Sequence, residues 1–128
     1  MSEKELSQFY WLKKEIKDLE DKIDELGYGV GSIKIKDVIG TSNNPQSSIQ
    51  EKVAILQEKL INARLSALEE YLKIERYIES VEDSEIRQIM RFRFMDLMSW
   101  NDIADQLHYE RTTVAKKLRQ FINSHNSH

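Results

Sequence analysis

The sequence predicts an all-α fold: a long helical hairpin followed by a compact unit of three short helices. Three observations carry that prediction. Apolar residues recur at helical spacing over two long stretches. The 128 residues hold one proline and four glycines, too few breaks for a many-stranded fold. The charged third of the chain (32%) is rich in Glu and Lys, which favour helix.

The first helix is predicted over residues 3–26. Phe9, Leu12, Ile16, Leu19, Ile23 and Leu26 are separated by three and four residues in turn, a heptad seam. Lys and Glu fill the remaining positions. So narrow a stripe needs a partner, because a polar helix gains little by forming alone. Gly27 stands where a C-cap glycine belongs. Residues 27–47 gather Gly27, Gly29, Gly31, Gly40, Pro45 and the run Thr41–Asn44, and are expected to form an irregular loop with one short alternating stretch at 32–39.

A second helix is predicted over residues 48–81, capped by Ser47 or Ser48. One stripe runs Ile49, Val53, Leu56, Leu60, Ala63, Ala67, Tyr71, Ile74, Ile78, Val81. A second, Ile61, Leu65, Leu68, Leu72, lies beside it. One side suits the first helix. The other needs either the C-terminal unit or a second copy of the chain, so a homodimer is expected. The hairpin and its loop are taken as residues 1–82, the C-terminal unit as 83–122 and a disordered tail as 123–128.

Charge separates these parts. Residues 1–83 carry 12 Lys and Arg against 17 Asp and Glu, whereas residues 84–128 carry 7 against 5. An overall charge of −3 therefore conceals a basic stretch at Arg111, Lys116, Lys117 and Arg119.

Within the C-terminal unit, Ser84 is expected to cap a helix over 85–96. Ser99 caps the next, Trp100–Leu107, with Asp102 three residues on. His108-Tyr109-Glu110 forms a three-residue turn, and a third helix runs from Arg111 to Ile122. Ile103 and Ala104 face inward, the small Ala104 permitting the close crossing of a helix-turn-helix. Such a motif lays the first turns of its second helix in the major groove of double-stranded DNA. Arg111, Thr112, Thr113, Lys116 and Lys117 occupy those turns. Arg119, Ser99 with the amides that follow it, and the indole N–H of Trp100 suit phosphates.

The stretch from Met90 to Ile122 resembles sigma-factor region-four helix-turn-helices. More closely, it resembles small phage and prophage transcriptional regulators of the RinA and ArpU type. The resemblance rests on Arg93-Phe94 before the motif, Trp100 opening its first helix, Ile103-Ala104, Tyr109 in the turn and Thr113-Val114. It implies control of phage transcription in a bacterial host. The pattern departs from the family at His108, where glycine is common, and at Glu110, where serine is. The rival class is a helical interaction module whose partner is RNA polymerase or a phage assembly protein.

Other chemistry finds little support. There is no cysteine, hence no disulfide or thiolate metal site, and no metal or cofactor is expected. Gly27–Lys34 lacks the Lys-Ser/Thr ending of a phosphate loop. His125 and His128 have no metal partners at suitable spacing. No nucleophile–base grouping suggests an enzyme. No apolar run approaches the roughly 18 residues of a membrane span. The N-terminus lacks the layout of a signal peptide, so a cytoplasmic protein is expected.

Overall fold

The computed structural model describes residues 1–27 and 45–126, and all regular structure among them is helical. In order these are α1 (Glu3–Leu6), α2 (Gln8–Glu25), α3 (Pro45–Glu79), α4 (Ser84–Met90), a π-helical turn (Arg91–Met95), α5 (Trp100–Leu107) and α6 (Arg111–Asn126). The expected loop falls outside the described residues from 28 to 44.

The first predicted helix is interrupted once. Ser2 caps α1 through a capping box with Glu5, and Ser7 divides α1 from α2. Gly27 takes the left-handed conformation expected of it, with φ 84°. α3 begins at Pro45, earlier than Ser47 or Ser48; proline suits a first helical turn because its missing N–H would be unpaired there anyway.

The described chain forms two compact units, one of residues 12–67 and one of residues 1–11 with 68–128. In the first, Ile16 and Ile23 of α2 and Val53, Leu60 and Ala67 of α3 are buried. The Arg64 guanidinium lies 3.3 Å from Glu20. Leu26, at the end of α2, shares a cleft with Lys52 and Leu56. The pairing thus runs from 64 back towards 52 as α2 advances, the antiparallel sense of a hairpin.

In the second unit Leu6 and Phe9 join Ile74, Ile78 and Val81 in the core, with Phe9 edge-on to Tyr71 at 5.4 Å. Arg87 donates to the carbonyls of Val81 and Glu82 and so holds the turn after α3. The cap of α4 is Asp83 rather than Ser84: its carboxylate accepts from the amides of Glu85 and Ile86, where a negative charge also suits the helix dipole. Ile86, Ile89, Met90, Phe94, Met95, Ile103, Ala104, Val114, Leu118 and Ile122 complete this core.

Two further differences from the sequence reading bear on the site. The helix expected over 85–96 is α-helical only to Met90. The amide of Asp96 then bonds five residues back to Arg91, and the amide of Met98 bonds back to Phe92 across a left-handed Leu97 (φ 58°). Secondly, α6 continues through Asn126, past the expected end at 122. His125 stacks on Phe121 at 4.0 Å, and its Nδ1 and the Ser124 hydroxyl both lie within hydrogen-bonding distance of the Phe121 carbonyl. On α3 the second stripe, Ile61, Leu65, Leu68 and Leu72, is exposed along its length.

Candidate nucleic-acid interface

Local sequence builds the two crossing helices. Ser99, in extended conformation, accepts the Asp102 amide on Oγ at 3.1 Å and starts α5 as expected. Ile103 and Ala104, both buried, form its inner face. His108 ends α5 in the left-handed region, φ 59° and ψ 40°. The Tyr109 amide bonds back to the Ala104 carbonyl, which closes the turn. The Glu110 carbonyl then accepts from Thr113 and Val114, and α6 begins at Arg111. Val114, Leu118 and Ile122 pin α6 to the core.

The opposite side of α6 borders a shallow cleft lined by Trp100, Arg111, Thr112, Ala115, Lys116, Arg119, Gln120 and Asn123. Five residues singled out from sequence thus come together there: Trp100, Arg111, Thr112, Lys116 and Arg119. Arg111, Thr112, Lys116 and Arg119 are exposed, and none makes an ion pair with a described residue. Ser99 is exposed at the start of α5, its hydroxyl engaged as the cap. Thr113 is half-buried beside Val114.

Lys117 is engaged elsewhere. Its Nζ lies 2.8 Å from Glu85 Oε1 and 5.0 Å above the Tyr109 ring, while the Tyr109 hydroxyl donates to Glu85 Oε2 at 3.0 Å. Three elements, α4, the turn and α6, are tied by this group. The bond to Lys117, and then that from Tyr109, hold the Glu85 carboxyl below its ordinary range. Lys117 is raised in turn by Glu85. A carboxyl whose pKa is lowered on folding stabilises the fold above its unfolded pKa, and that contribution is lost as pH falls through the lowered value. Glu85→Gln should therefore flatten the decline in melting temperature below about pH 4; an unchanged decline would exclude Glu85 as a source of acid sensitivity.

Ala115, Gln120 and Asn123 were not anticipated in the cleft. The last two follow Lys116 by four and seven residues, so helical spacing finds them once α6 is allowed to continue to Asn126. Arg93 was anticipated only as part of a resemblance. It donates to the Met98 carbonyl at 3.0 Å, and its guanidinium carbon sits 4.6 Å from the Trp100 ring centre.

Among the described residues no group of three or more His, Asp or Glu is placed to hold a metal. No described helix is long and apolar enough to cross a membrane. A family model described as a protein of unknown function (DUF1492) matches residues 29–126, and the chain belongs to that family. No curated protein and no solved structure matches it.

Proposed function

We propose that this DUF1492 family member is a phage- or prophage-encoded transcriptional regulator that binds double-stranded DNA, working in the cytoplasm of a bacterial host. The observation that carries the reading is the cleft side of α6: Arg111, Thr112, Lys116 and Arg119 are exposed together on a helix that α5 braces from behind. α6 enters the major groove by its N-terminal turns. Thr112 and Lys116 meet base edges, Arg111 and Arg119 the flanking strands. The motif is of the sigma region-four kind, in a regulator similar to the RinA and ArpU type.

The regulator acts as a homodimer, since one motif of this size makes few contacts and two-fold pairing doubles them. The exposed stripe Ile61, Leu65, Leu68, Leu72 supports this, at the three- and four-residue spacing by which helices pair. The same stripe is what favours the second reading, a module that docks on RNA polymerase or a phage assembly protein.

In vitro selection from random duplexes is expected to return a motif repeated with two-fold symmetry, and light scattering a mass of two chains. Failure to enrich any sequence, with binding insensitive to salt, favours the docking module; a single-chain mass both free and on DNA removes the dimer.

A further inference from the structure

The π-helical turn sets Arg93 on Trp100, and Trp100 in turn lines the cleft that holds Arg111 and Arg119. None of the three guanidiniums makes an ion pair with a described residue. Arg93 is half-buried and fixed at both ends of its reach, by the Met98 carbonyl and by the indole face. Burial lowers its affinity for a proton; Glu3 and Tyr10 act the other way, while Arg119 and Arg111 push it further down. Like charges held this close, with no counter-charge between them, are relieved by an anion. The first amides of α5, at Trp100 and Asn101, have no carbonyl four residues back to bond, and add donors at the same place.

We propose that Arg93, Arg111 and Arg119 converge around Trp100 to seat one backbone phosphate of the bound duplex, with Arg93 supplied from the π-helical turn, outside the two crossing helices. The site rests on the DNA-binding reading above and deepens it: it supplies affinity and register without reading sequence. Planarity matters, since a guanidinium can lie flat on the indole and still present N–H groups at its edge, as an ammonium cannot.

The test uses the full chain and its selected duplex, with single phosphates neutralised one at a time as methylphosphonates. One neutralised position is expected to weaken the native protein at least about tenfold and to leave Arg93→Gln unaffected. Arg93→Gln should also weaken selected and unrelated duplexes by the same factor and reduce the slope of log affinity against log salt by about one. Arg119→Gln, an exposed change without a structural partner, should couple to that same phosphate, so the test survives if Arg93→Gln folds poorly. An unchanged salt slope, or equal losses at every phosphate, overturns the seat.

Should the native protein bind no duplex, the DNA reading fails and the seat is tested with inorganic pyrophosphate. A shift of the Trp100 indole N–H resonance, assigned with Trp11→Phe, that Arg93→Gln abolishes sustains a seat for free phosphates. No shift overturns it.

Discussion

Lys116→Glu is expected to lower affinity for the selected duplex by about 100-fold or more, and to leave the melting temperature unchanged. The substitution removes an attraction and introduces a repulsion at one place, and juxtaposed like charges cost several kcal/mol at an interface, with each tenfold worth about 1.4. The side chain is exposed and bonded to nothing described, so the fold has no stake in it. Lys117→Glu, one residue on, should behave in the opposite way. Its Nζ is 2.8 Å from Glu85, and the exchange brings two carboxylates together beneath Tyr109. The expected result is a lower melting temperature, with DNA affinity recovered when Glu85→Lys restores the opposite charges. Thermal denaturation and fluorescence anisotropy on the same four proteins decide the matter. Equal losses of binding from both lysine changes at unchanged stability would return Lys117 to the DNA face.

Leu118→Ala carries the largest expected cost in stability, about 2–5 kcal/mol. Leu118 is 1% exposed. It projects from α6 into the core shared with α4 and α5, so truncation leaves a void where three helices meet. Against a total of about 5–15 kcal/mol for a domain, such a loss removes a large share of the folded population's margin. Urea denaturation should show the midpoint falling with the slope preserved, whereas Leu118→Met, nearly equal in volume, should cost less than about 1.5 kcal/mol. A Leu118→Ala midpoint close to that of the native chain would mean that α6 is held chiefly by Val114 and Ile122.

The two crossing helices were the most legible part of the chain. Ser99, Ile103, Ala104, His108 and Arg111 each state a local rule that neighbouring residues do not contradict, and the helix bounds follow. The buried stripe of α3 was legible for the same reason: ten residues repeat one spacing. Arg91–Met95 was not legible, because RFRFM contains no glycine or proline, and the left-handed residue that redirects the chain is a leucine. Asp83 and Ser84 are both good caps, and only the backbone chooses between them. The role of Lys117 was beyond local reasoning altogether. It depends on a glutamate 32 residues earlier, and helical spacing ranks Lys117 beside Lys116 when packing sets them apart.

The turn at Arg91–Met95 has a consequence for how the family can vary. An α-helix advances about 100° per residue, so losing or gaining one residue between Ile89 and Trp100 would rotate everything on one side of the change by that angle. Phe94 and Met95, now buried, would swing towards water, and Arg93 would leave the indole. Exchanges of residue type here alter one contact each; a change in residue count alters all of them together. Among relatives, this segment should therefore drift in identity while keeping its length, and insertions or deletions should accumulate elsewhere.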